Sequence, residues 1–124
     1  MLNRRQLIAS TAATAAVGVA GQSLAQPGSP AQLNALFDAF VAEQLNLSPE
    51  GATSLGMDTG SRAAQKSQLD DRSPAGLLKQ QELAGSQLAR LEAFDAAALA
   101  PADVLNREII LFGLRRQVAA AGSP

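Results

Sequence analysis

From Ala31 the large apolar residues fall at Leu33, Leu36, Phe37, Phe40, Val41 and Leu45, with the spacings of three and four that mark one face of a helix. Asn34, Asp38, Glu43 and Gln44 lie away from the centre of that face, so the pattern predicts a helix from about Pro30 to Leu45. Ser48-Pro49-Glu50 then starts a short helix over Ser48–Leu55. The Ser48 hydroxyl can accept from orphan N–H groups, Pro49 brings a pre-set φ, and Glu50 meets the positive end of the dipole. Gly56 can close this helix in a left-handed conformation. Asp58 to Ser73 has one large apolar side chain, Leu69, and reads as an exposed loop with a helical turn around Arg62–Gln68.

Ser73-Pro74 repeats the cap-and-proline device and opens a helix to about Phe94. Leu77, Ala84, Leu88 and Leu91 share its stripe, with Leu78 and Leu83 beside them. Asp95 caps a turn of Ala96–Leu99, and Ala100-Pro101 begins the last helix with Asp103 in its first turn. The last helix differs from the others. Val104, Leu111, Leu114 and Val118 form one apolar line, Leu105, Ile109 and Phe112 form another, and Ile110 widens the surface. A helix apolar over so much of its circumference wants neighbours on several sides. The expected fold is therefore all-α, a short bundle or array of about four helices whose uncovered side needs more protein, from a partner chain or from sequence beyond Pro124.

Residues 1–25 carry a different pattern. Arg4 and Arg5 precede a weakly apolar run rich in Ala and Thr, and Ser23-Leu24-Ala25 places small residues at both positions read by a signal peptidase. The order is that of an export signal with cleavage after Ala25, and the arginine pair resembles a twin-arginine (Tat) leader. Asn3 before the pair and Leu7 after it keep the general secretory (Sec) route open. Leu7–Ala20 is too short and too polar for a stable membrane span. The expected division is a leader over 1–25, a linker over 26–30, a helical segment over 31–118 and a tail over 119–124. The expected location is periplasmic or extracellular, with the translocation machinery as the leader's partner.

Composition narrows the chemistry. Of the chain's 124 residues 47% count as hydrophobic, but 26 are Ala, and only 25 large apolar residues follow the leader. The core is thin. The absence of Cys rules out disulfides and thiolate chemistry, and the absence of His removes the commonest base and metal ligand. Eight basic and 11 acidic residues remain past the leader, a net charge of −3, with no basic patch or aromatic platform to bind nucleic acid. Asp70-Asp71 is a poor metal site without further oxygen ligands. Glu82 and Glu92 lack partners that would make a catalytic pair, and Arg115-Arg116 suit the C-terminal end of a helix dipole. No catalytic residue, cofactor site or metal site is expected.

Several stretches together carry a resemblance. The leader is followed by Leu36-Phe37-Asp38-Ala39-Phe40, then Leu47-Ser48-Pro49-Glu50-Gly51-Ala52-Thr53-Ser54-Leu55-Gly56, then Leu69-Asp70-Asp71-Arg72-Ser73. Phe94-Asp95 and a run into Ile109-Ile110-Leu111 come after the long helix. Across most of residues 31–118 this resembles the N-terminal region of the domain-of-unknown-function 885 family of large exported bacterial proteins. Ser-Pro-Glu followed by Ala-Thr and Leu-Gly is its most specific piece. The resemblance implies a mostly helical chain of several hundred residues with a downstream His-Glu motif similar to zinc metallopeptidases. With no His, that motif and its zinc transfer to no position here; with no Cys, neither does a lipid anchor.

Two readings follow. The chain is a non-catalytic N-terminal segment whose partner is the C-terminal remainder, or a small exported helical protein that self-associates through the Val104–Val118 helix.

Overall fold

In a computed structural model, residues 26–122 can be described, and among them there are helices and no strand. The leader residues Arg4, Arg5, Ser23 and Ala25 lie outside the described residues. Helix α1 spans Pro30–Leu47, α2 Pro49–Ser54, α3 Pro74–Ala93 and α4 Pro101–Ala121, with a 3-10 helix over Gly60–Ser67 between α2 and α3. The all-α expectation holds. Within residues 58–73, the helical turn expected around 62–68 is present and longer, an eight-residue 3-10 helix over Gly60–Ser67. It outlasts the usual three or four residues of that geometry because side chains anchor it to α1. Gln65 Nε2 donates to the Leu45 carbonyl at 2.8 Å, and Arg62 Nη1 to Asn46 Oδ1 at 2.5 Å.

Each α-helix begins on Pro, whose missing N–H costs nothing where that donor would be orphaned anyway. Ser29 and Gln32 form a capping box ahead of α1, at 3.2 and 2.8 Å. Ser48 closes α1 and opens α2 with its hydroxyl 3.0 Å from the Gly51 N–H. Gly56 sits at φ 68°, and the Met57 N–H reaches the Ala52 carbonyl at 2.8 Å, a Schellman ending. Asp95 caps the 95–99 turn through the Ala97 N–H at 3.0 Å.

The core is one cluster: Leu33 and Phe40 from α1, Leu91 from α3, and Leu111 and Leu114 from α4. Leu36, Phe37, Leu88, Phe94, Leu99 and Ile110 pack against it, partly buried. Helix α4 runs back along α3, so the alanine-rich end of α4 meets the start of α3. There Leu77 lines a cleft with Ala120 and Ala121, which are too small to cover it, and it stays 47% exposed although it belongs to the predicted stripe.

Gly76, buried in the first turn of α3, leaves no room for a side chain. A Cβ there would lie 2.2 Å from the Asp71 carbonyl oxygen, a backbone atom that cannot swing aside. Gly76→Ala is therefore expected to destabilise the chain by about 1–3 kcal/mol through overpacking. Gly85→Ala, in the same helix with nothing within 4 Å, should stabilise by up to about 1 kcal/mol through helix propensity. Urea midpoints of the two variants check this; equal shifts would refute it.

Candidate functional site

The region around Ser48–Glu50, which carries the most specific part of the resemblance, is a reciprocal clasp. The Glu50 N–H donates to Asp70 Oδ1 at 3.0 Å, and the Asp70 N–H donates to Glu50 Oε2 at 2.9 Å. The Ser48 hydroxyl lies 3.1 and 3.0 Å from the two Asp70 oxygens, and Arg72 Nη1 donates to Glu50 Oε2 at 2.7 Å. Each acidic side chain satisfies the other's backbone, tying two segments 20 residues apart. Asp70 and Asp71 do separate jobs, since Asp71 Oδ1 accepts from the Ser73 N–H at 3.0 Å ahead of α3.

Charge follows geometry. The Arg72 guanidinium, and then the Asp70 N–H, hold the Glu50 carboxyl below the usual carboxylate range. Glu43 is lowered in the same way by Arg90, which grips it with two bonds of 2.9 and 2.5 Å while lying 4.9 Å over the Phe40 ring. Asp71 is lowered by the Ser73 hydroxyl and N–H. A carboxyl with a depressed folded value contributes stability above its unfolded value and loses it as pH falls through the folded one. Stability should thus be level near neutrality and fall below the usual carboxylate range. Glu43→Gln with Glu50→Gln should lower stability at pH 7 and flatten the acid limb, read from urea midpoints between pH 7 and pH 3. An unchanged acid limb would refute the assignment.

Beside the clasp lies a cleft of about 320 Å³ lined by Gln44, Gln80, Gln87 and Gln117, with Leu83 and Asp70 at its edge. Gln87 is only 1% exposed and fully engaged. Its Oε1 accepts from Gln44 Nε2 at 3.0 Å and its Nε2 donates to the Phe40 carbonyl at 3.2 Å. This polar anchor was missed, although its position one turn before Leu91 and three residues after Ala84 put it on the buried stripe. The Asp70 oxygens are already engaged by Ser48 and Glu50. Besides amides, the cleft is lined by Ser48 and Asp70, and this hydroxyl and carboxylate are spent on each other and on the N–H groups of Gly51 and Glu50. Among the described residues no group of three or more Asp or Glu could hold a metal ion.

The two lines on α4 part company. Leu111 and Leu114 are 1% and 4% exposed, with Val104 and Val118 at the margins of the same face. Leu105, Ile109 and Phe112 are 61%, 61% and 64% exposed and form an outward apolar row. Arg116 lies 5.8 Å over the Phe112 ring, and Arg115 pairs with Glu92 at 3.5 Å. Arg107, on the same side of α4 as Leu111 and Leu114, reaches the Leu91 carbonyl at 3.2 Å. No helix of the described residues is long and apolar enough to cross a membrane.

A capped all-helical segment with a thin core, a clasp at its specific motif and an open apolar row is the class these features define. Residues 49–123, more than half of the chain, match the family described as bacterial protein of unknown function (DUF885), and the chain belongs to that family. No curated protein and no solved structure matches it. The match begins at Pro49, so it takes in α2, the Glu50, Asp70 and Arg72 of the clasp, α3 and α4.

Proposed function

We propose that this chain is the non-catalytic N-terminal helical segment of an exported protein resembling a metallopeptidase-like hydrolase. In this reading its role is to pack against the remainder of that protein as one wall of a cleft. The observation that carries the reading is the row Leu105, Ile109 and Phe112, each more than 60% exposed on the last helix. Large apolar side chains grouped this way on a soluble surface mark an interface. Family membership adds support, and so does a site region built of caps and engaged amides rather than reactive groups. Any zinc would belong to the remainder, since this chain holds neither His nor Cys. The competing reading, a self-associating small helical protein, rests on the same row. Sequencing the reading frame beyond Pro124 separates them: a continuing frame with a His-Glu motif supports the first, and a stop codon at that point the second.

Export is part of the proposal. Arg4-Arg5, the weakly apolar run and Ser23-Leu24-Ala25 support delivery to the periplasm or beyond through the twin-arginine route. A chain cut after Ala25 would keep the Gly28 N–H bonded to the Asp95 carbonyl at 2.9 Å, and so its first anchor. N-terminal sequencing of periplasmic material should begin at Gln26. Arg4→Lys with Arg5→Lys should block export on the twin-arginine route and spare it on the general secretory route. Full-length protein retained in the cytoplasm of a competent host would refute export.

A further inference from the structure

We propose that the row of Leu105, Ile109 and Phe112 seats a second copy of this chain, with the two α4 helices antiparallel. The inference rests on the reading that the row is an interface, and it names a partner that the row fits. Leu105, Ile109, Phe112 and Arg116 recur at spacings of four, three and four, the pattern of a seam between two helices. Arg116 belongs to the seam because its guanidinium lies 5.8 Å over the Phe112 ring, with its apolar stem along the row. With Ile109 of one copy facing Phe112 of the other, Leu105 meets the stem of Arg116 at both ends. Such a two-fold contact closes on itself and uses every apolar member of the row. Where the remainder of the protein covers the row, the two occupants compete for one surface.

The flanks of the seam choose the orientation. Glu108 and Arg115, both more than half exposed, stand two turns apart on one flank. Asn106 and Gly113, on the other flank, carry no charge. In a parallel pair each flank faces the opposite flank of the partner helix, so neither charge finds a mate. In an antiparallel pair each flank faces its own kind reversed, and Glu108 of one copy comes opposite Arg115 of the other, twice. The two are offset by about 3 Å along the axis, within reach of such long side chains. Arg115 Nε now meets Glu92 at 3.5 Å, and Arg107 Nη1 meets Glu108 Oε1 at 3.3 Å. Both carboxylates are about half exposed, where an ion pair is weak and readily exchanged. On the uncharged flank a Cβ at Gly113 would meet nothing within 4 Å, so a second backbone can come close there.

The test is analytical ultracentrifugation of the full chain at low salt, which should show a monomer–dimer equilibrium that stops at the dimer. Glu108→Arg and Arg115→Glu should each weaken the dimer by roughly tenfold, because each sets like charges against each other at two places. The two changes together should restore most of the affinity by exchanging the members of each pair. That rescue separates a contact between copies from the Arg115–Glu92 pair, which the double exchange leaves broken. Single changes without effect, or a loss that the double exchange does not repair, would overturn the antiparallel pairing. Assembly past the dimer would overturn the two-fold contact, and a monomer into the millimolar range would overturn the second copy as occupant. If that monomer still binds a hydrophobic dye, the row remains open to the rest of the protein and the proposed function stands. If it binds none, both readings fall.

Discussion

Leu91→Ala is expected to unfold most of the population or bring the chain to the edge of unfolding at 25 °C. Leu91 is 0% exposed at the point where α1, α3 and α4 meet, in one cluster with Leu33, Phe40, Leu111 and Leu114. Truncating a fully buried Leu loses both its transfer free energy and the contacts around the cavity left behind, about 2–5 kcal/mol. A domain has about 5–15 kcal/mol in all, and a small one with few large core residues sits low in that range. Position 91 has a second duty. Its carbonyl accepts from the Phe94 N–H at 3.2 Å and from Arg107 Nη2 at 3.2 Å, so local collapse there would also disturb the turn into α4. Leu105→Ala is the control, the same substitution at a side chain 61% exposed, and should shift stability by no more than about 0.5 kcal/mol. Urea titration of both variants by circular dichroism decides the matter; comparable losses would mean that the core is not where the structure puts it.

The helix starts were legible because each rests on local chemistry. Ser48-Pro49 and Ser73-Pro74 combine a side-chain acceptor with a residue that has no donor to orphan, and both cap as the pattern indicates. Asp95 and Gly56 were readable for the same reason, since a cap or a left-handed residue answers to neighbours two or three positions away. The partners of Asp70 were not legible. Its carboxylate serves backbone 20 residues distant, and no local rule connects it to Glu50. Gln65 is a similar case, because an amide in a charged stretch looks solvated until the end of α1 arrives with the Leu45 carbonyl. On α4 the periodicity marked two apolar lines and could not rank them. The ranking came from α1 and α3, which cover Leu111 and Leu114 and leave Ile109 and Phe112 outside. Ile110, on the margin between the lines, turned to the core side.

That division of α4 makes the outward row the place where addition of charge separates an interface from a core. Ile109→Glu with Phe112→Glu should leave the helical signal of the chain nearly intact, because both side chains are more than 60% exposed and few contacts are lost. Leu111→Glu should unfold it, because an ionised carboxyl at a site 1% exposed has no partner to offset its desolvation. The unaltered chain should bind a hydrophobic dye or self-associate as concentration rises, and the double variant should do neither. Burying one such side chain is worth roughly 1.5–3 kcal/mol, so Leu105, Ile109 and Phe112 together are enough to drive association. In a longer form of the protein, in which further helices cover the row, the same double substitution should lower stability by several kcal/mol instead of improving solubility. Opposite signs in the short and long forms are the signature of an intramolecular interface. A double variant that loses its helical signal in the short form would place Ile109 and Phe112 in the core and remove the basis of the proposed function.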